Sequence, residues 1–319
     1  MVLVFFIIKY PPPKGIVSMA IGIICGFLAA LFNSIGYLFS ARFLLHHKSP
    51  FLLLILAQCG MLLVSFPFLF WLFPFGSIDQ PWRITWLTAA WVAVFMIGQG
   101  TFFTALRYFE ASRLSSLLGL KIIVLALMFR FVQHGTLNIW QWLAVLLAAA
   151  AGMLFNWSGT GKTSIKGWLL VIVTLFCYSS ADLLETELVL FVKGLGYSDI
   201  HSALTVTSLV YTVLGLVALP FLKCVHGTGA QFRMAFPYAV IWLLSQVSLF
   251  ICFANIRPVF GNVILAMRGP LSVAFGAALP LIGLAALDSK ISARKWIQRG
   301  VAALIMVGAI ALYSWAKTL

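Results

Sequence analysis

Two cations stand inside apolar runs of this 319-residue chain. Lys121 lies in SSLLGLKIIVLALMFRFVQHGT (115–136), and Arg268 lies in NVILAMRGPLSVAFGAALPLIG (262–283). A single offset of 147 superposes them, and it also superposes Gln99 on Gln246 and Phe103 on Phe250. A cation held in such a place can receive a carboxylate or phosphate, arginine bidentately and lysine as a mobile point charge. If these runs cross a bilayer, Lys121 lies roughly 10 Å from the nearer boundary at the helical rise per residue. An isolated cation at that depth costs at least about 2.5–3.5 kcal/mol. Each must therefore see water, an acid or a bound anion.

Three of the seven acids, Asp182, Glu185 and Glu187, fall in one further apolar run. Asp182 and Glu185 are three apart and share a helix face, while Glu187 points elsewhere. Asp182 has three possible uses: to neutralise Arg268, to hold a substrate amine, or to carry a coupling proton if burial favours its neutral form. The alternative is that this end of the helix has reached the headgroups. The glutamine pair, Gln99 and Gln246, can donate and accept hydrogen bonds toward a polar solute, or serve as interhelical glue. Asn33, Ser34, Tyr37 and Ser40 in one run, and Tyr178, Ser179 and Ser180 in another, add polar groups at similar places. Asn33 and Tyr37, at i and i+4, make one face. Gly269, Pro270, Gly276 and Pro280 interrupt the Arg268 run, and proline's missing donor makes a hinge there. Because Ile123 stands where Pro270 would map, the kink is expected in one copy only. The five cysteines form no CxxC pair, and His46-His47 sits in a loop, so no metal or other cofactor is expected.

Composition sets the elements that must carry these residues. Hydrophobic residues make up 63% of the chain and charged residues 9%, and the mean hydropathy is +1.08. A soluble domain has roughly 25% charged residues, so the chain reads as an all-α integral membrane protein. The +14 net charge is then loop cations set against anionic headgroups rather than a nucleic-acid footprint. Met1–Ile8 is too short to span and lacks the cleavage site of a signal peptide.

Ten apolar spans follow: Val17–Ala41, Phe51–Phe73, Trp86–Leu106, Leu114–Val132, Trp140–Trp157, Trp168–Leu190, Ala203–Leu222, Pro237–Ile256, Val259–Leu284 and Trp296–Trp315. The longest loop is expected around Lys223 to Phe236. SGTGKTSIKG, at 158–167, divides the chain into a first repeat (15–157) and a second (168–319), after a non-spanning segment at 1–14. Five helices per repeat make the two copies enter the membrane from opposite sides, the inverted-repeat plan that sets a solute site between the repeats. Trp140, Trp157, Trp168, Trp296 and Trp315 read as an interfacial belt. With a cytoplasmic N-terminus the inner loops carry seven cations and the other face twelve, so the positive-inside rule favours both termini outside.

ALRYFEASRLSSLLGLKIIVLAL with WQWLAVLLAAAAGMLF resembles the fourth and fifth helices of an EamA-type repeat. ANIRPVFGNVILAMRGPLSVAFGAALPLIG with QRGVAALIMVGAIALYSW resembles its second copy. The resemblance covers the chain from about Gly15 and implies the drug/metabolite transporter superfamily. It implies ten helices in two inverted five-helix repeats around a central cavity, with both termini cytoplasmic, against the charge count. The Gly-Glu pair that many bacterial members carry after helices 4 and 9 is absent, since HGTLN and LDSKIS stand there. The plastid phosphate-exchanging members use basic residues on helices 4 and 9, so by resemblance Lys121 and Arg268 would receive a phosphate or carboxylate.

The expectation is thus a secondary transporter, not an enzyme, in a bacterial inner membrane. It would export or exchange a small organic anion or zwitterion, such as an amino acid or a phosphorylated metabolite. Its other partners would be membrane lipids and a coupling proton or exchanged metabolite, with no nucleic acid, as a monomer or homodimer. The substrate-binding candidates are Lys121, Arg268, Gln99, Gln246, Asp182, Glu185, Asn33, Tyr37 and Tyr178; the hinge candidates are Gly269, Pro270 and Pro280. A flippase of the same fold is the alternative. An intramembrane enzyme is disfavoured because no HEXXH run or activated nucleophile is present.

Overall fold

The computed structural model describes residues 15–74, 76, 78–105, 108–109, 114, 117–155, 164–278 and 293–316. All regular structure among them is helical. In chain order the helices are α1 (Gly15–His47), α2 (Pro50–Leu72), α3 (Pro81–Ala105), α4 (Lys121–Phe131), α5 (Ile139–Phe155) and α6 (Ile165–Gly194). After them come α7 (Asp199–Ala218), α8 (Gly229–Ile256), α9 (Pro258–Leu265), α10 (Arg268–Ala278) and α11 (Ala293–Ala316). Seven of these are long and apolar enough to cross a bilayer, which makes the chain an integral membrane protein. Helices are the element lipid permits, because each satisfies its own backbone donors and acceptors.

Their starts follow local capping chemistry. Ser49 and Ser198 accept from the backbone N–H groups of Leu52 and His201 at the starts of α2 and α7. Thr228 and Gln231 form a reciprocal capping box that starts α8 at Gly229. That box corrects the expected long loop after Lys223. A short helix at Leu222–Val225 and the early start of α8 leave a connection of a few residues, and Pro237 lies inside the helix instead of opening it. Likewise α6 begins at Ile165, inside the expected linker. The segments 1–14 and 156–163 lie outside the described residues.

Packing joins α1 to α8, α3 to α6, α2 to α7 and α5 to α11. Further contacts run from α4 to α6, from α1 to α9 and α10, and from α4 to α9. Small residues permit the closest approaches. A Cβ on Gly215 of α7 would stand 2.5 Å from Leu62 Cβ and 2.9 Å from the Gln58 carbonyl of α2. Gly215→Leu should therefore lower the unfolding free energy by about 1–3 kcal/mol, measured by denaturant titration in detergent. Gly119 and Gly152 pack their backbones together, each Cβ position falling 3.2–3.3 Å from the other's Cα.

Candidate functional site

Among the described residues the helical chain is interrupted just before each of the two cations. A 3-10 turn at Leu118–Leu120 precedes Lys121, and a turn at Ala266–Met267 precedes Arg268. Pro270 accounts for the second break. It has no N–H for the Ala266 carbonyl four residues back, and that carbonyl accepts from Gly269 N at 3.1 Å instead. The break therefore sits at Ala266–Met267, while Gly269 and Pro270 belong to the first turn of α10, where a proline is tolerated. Pro280 lies outside the described residues, and nothing is described of the Gly276 side-chain environment. α4 is preceded, without a proline, by the 3-10 turn containing Gly119, where a Cβ would stand 3.2 Å from the Gly152 backbone.

The two cations are held alike through their backbones. Ser179 Oγ of α6 donates to the Lys121 carbonyl at 3.3 Å, and Ser34 Oγ of α1 lies 3.0 Å from the Arg268 carbonyl. Ser34 and Ser179 are related by an offset of 145, close to the offset of the cations.

Their side chains part company. Lys121 Nζ lies 2.8 Å from Asp182 Oδ1 and 2.7 Å from Oδ2. Asn262 Nδ2 donates a further bond to Asp182 Oδ2 at 2.7 Å and one to the Pro258 carbonyl at 2.9 Å. Asp182 thus neutralises Lys121 rather than Arg268. Carried back by 145, Asp182 maps on Tyr37, so the second copy has a phenol where the first has a carboxylate. Tyr178 stands within electrostatic reach of Arg268, Tyr37 and Tyr238. Lys121 and Asp182 are nearly closed off, with side-chain exposures of 17% and 9%. By contrast Arg268, Gly269, Pro270 and Leu271 are all half-buried and Tyr37 is exposed.

The acids of α6 lie inside the protein, since every residue from Ala181 to Val189 is buried. Glu185 is 3% exposed, and the Trp91 side chain hydrogen-bonds to its carboxyl. Glu187, expected to point away, is also buried, and Gln133 Nε2 donates to it at 3.3 Å. Asn33 and Tyr37 are separated by environment. Asn33 is buried, with Nδ2 3.4 Å from Ser245 Oγ, while Tyr37 is exposed. Gln246 is buried on α8, whereas Gln99 on α3 is half-buried.

Several site residues were not singled out from the sequence. Asn262 binds Asp182, and Trp91 stacks on Phe95 and meets the Tyr211 ring edge-on at 5.7 Å. The Trp242 indole donates to Tyr211 OH at 2.9 Å. Asn262 was legible as a lone amide in an apolar run; the aromatic residues were indistinguishable from lipid-facing bulk. A separate cavity of about 210 Å³ lies against Phe129, Thr136, Gln141, Arg257 and Tyr313, away from the acids of α6.

No protein-family model and no curated protein matches the chain. A solved structure described only as "Crystal structure of protein" is similar to it, with a TM-score of 0.67 and 13% sequence identity. The match covers 93% of this chain and 97% of the other. At that identity the likeness is one of fold alone, and it extends over nearly the whole of both chains.

Proposed function

We propose that this protein is a secondary transporter of the drug/metabolite transporter superfamily, working by alternating access between two inverted five-helix repeats in the cytoplasmic membrane of a bacterium. Counting α9 and α10 as one interrupted span gives ten. Exchanging the copies turns the α1–α8 packing into α6–α3, and α4–α6 into α9/α10–α1, while α2–α7, α5–α11 and α4–α9 map on themselves. That exchange, with the matched serine–carbonyl contacts at Lys121 and Arg268, supports the repeat reading.

The observation that carries the function is the unequal treatment of the two matched cations. A buried charge cluster costs stability that apolar packing would not, so its retention in a membrane bundle favours a solute site over a purely structural role. Lys121 is engaged by Asp182, while Arg268 is half-buried and lies within electrostatic reach of Tyr178. The best substrate is a zwitterion or small organic anion, an amino acid above all. Its carboxylate would meet Arg268 with Tyr37 and Tyr178, and its amine would turn toward the acids of α6. Gln246 and Gln99 would help to orient it. The site calls for no cofactor, and the work done is translocation rather than catalysis.

A thermal-shift screen of the purified protein against amino acids, carboxylates, sugar phosphates and nucleotides tests this. A ligand that binds the folded state at about a hundred times its Kd stabilises by about 2.7 kcal/mol. Stabilisation by amino acids or anions, followed by counterflow of the same solute in proteoliposomes, is the expected result. Stabilisation by lipids alone, with lipid scrambling, would instead favour a flippase.

A further inference from the structure

We infer that the cavity between the 132–138 turn, the α8–α9 junction and the end of α11 is a binding site for a phosphate group, carried by a membrane phospholipid or free in solution. The inference stands apart from the transporter reading, because none of its residues belongs to the central site.

Both halves of the chain build the cavity. α4 ends at Phe131 and α5 begins at Ile139, and the turn between them folds back on α4. Gly135 allows this, since its N–H donates to the Phe129 carbonyl at 3.0 Å and a Cβ there would run into the Phe129 ring. Thr136, Leu137 and Gln141 thereby form one wall. On the other wall α8 ends at Ile256 and α9 starts at Pro258. Arg257 between them has φ 71° and ψ 156°, a conformation that only glycine takes without strain. Pro258 bars Arg257 from the helical region, so the chain leaves α8 and enters α9 within one residue. Strain of this kind gathers at ligand clamps, where the surrounding structure holds it.

Every polar side chain on these walls can donate. Arg257 carries five N–H groups in a planar fork, and its guanidinium lies over the Phe129 ring, 5.5 Å from the centroid. Tyr313 is 5% exposed, with its ring stacked on Phe260 at 4.6 Å and Arg257 within electrostatic reach. The Tyr313 hydroxyl has no hydrogen-bond partner among the described residues. Gln141 Oε1 accepts from Asn138 N–H at 2.9 Å, which leaves the Gln141 NH2 group for the cavity. Val259, also on the wall, is the second residue of α9, and the first N–H groups of a helix have no acceptor within it. Among the described residues no carboxylate lines the space. A forked cation, an unpartnered phenol, an amide NH2 and a helix start together suit a tetrahedral oxyanion, which takes several donors at once. A cavity of about 210 Å³ has room for several waters or for one such group.

Its depth brings lipid phosphates within reach. Trp140 adjoins Gln141, Trp315 lies two residues beyond Tyr313, and the two exposed rings meet at 5.8 Å. Tryptophans at helix ends sit at headgroup level. Arg130, whose Nη1 reaches the Gly135 carbonyl at 3.4 Å, adds a second cation beside the turn.

Thermal unfolding in a neutral maltoside detergent, at constant ionic strength, tests the site. The probes are sodium phosphate against sodium chloride, and phosphatidylglycerol against phosphatidylcholine mixed into the micelles. The wild type should be stabilised by at least one of the two phosphate probes. A shift with phosphatidylglycerol alone supports the site with a lipid as its source, and a shift with sodium phosphate alone supports it with a soluble ligand. Arg257→Gly, which relieves the backbone while deleting the guanidinium, should still fold and should need about ten- to a hundredfold more of the effective probe. Tyr313→Phe should need severalfold more, whereas Arg268→Gln should respond as the wild type does. No shift with either probe, or an undiminished shift in Arg257→Gly, would overturn the site. A shift lost in Arg268→Gln and kept in Arg257→Gly would overturn it too, by moving the phosphate to the central site, and would count in favour of the transporter reading.

Discussion

Lys121→Gln is expected to lower the unfolding free energy by about 3–5 kcal/mol, because it leaves the Asp182 carboxylate buried without its cation. Asp182→Asn should cost a similar amount by stranding the ammonium. The double variant should recover most of the loss, since two neutral amides can hydrogen-bond where the ion pair stood, with Asn262 still a donor to the side-chain amide oxygen introduced on α6. The measurement is a double-mutant cycle by denaturant or thermal unfolding in detergent, with a coupling energy above the roughly 0.5–3 kcal/mol seen for most contacting residues. Additive losses would mean that the 2.7 Å contact contributes nothing specific. They would also leave Lys121 available to receive an anion.

The second large effect concerns Arg268. Arg268→Gln should cost less in unfolding than Lys121→Gln, because the residue is half-buried and its backbone anchor, the carbonyl beside Ser34, is untouched. Its effect should fall on solute affinity. A hydrogen bond to a charged group contributes about 1.5–3 kcal/mol, which at about 1.4 kcal/mol per tenfold is a weakening of one to two orders of magnitude. The ligand-induced thermal shift found in the screen should vanish at concentrations that saturate the wild type. Tyr37→Phe should weaken the same ligand less, by the value of a neutral hydrogen bond. A ligand whose shift survives Arg268→Gln but is lost in Lys121→Gln would reverse the assignment of the two copies.

Much of this was readable before any coordinates. Apolar runs in a chain with 9% charge could only be membrane helices, since no other element satisfies its backbone in lipid. Burial of charge in such runs likewise marked Lys121, Arg268 and the acids of α6, because a charge at that depth needs a partner. Internal offsets are a property of the sequence too, and one of them matched the two cations and the two glutamines. Helix ends were less legible: α8 begins eight residues before the expected Pro237, because a Thr228–Gln231 capping box outweighs a proline that a first turn also tolerates.

Pairing was decided by the tertiary structure alone. Nothing in the spacing says that Asp182 meets Lys121 and not Arg268, because both cations lie about the same depth in matching helices. The choice depends on which helix α6 packs against, and it packs on α4. The break beside Arg268 followed from a proline, but the break before Lys121 did not. It arises where Gly119 and Gly152 bring two backbones together, a contact between residues far apart in the chain. For the same reason Asn33 and Tyr37, neighbours on one helix face, ended in different surroundings, one against α8 and the other exposed. Sequence periodicity assigns a face to a helix; only the packed neighbour decides what that face meets.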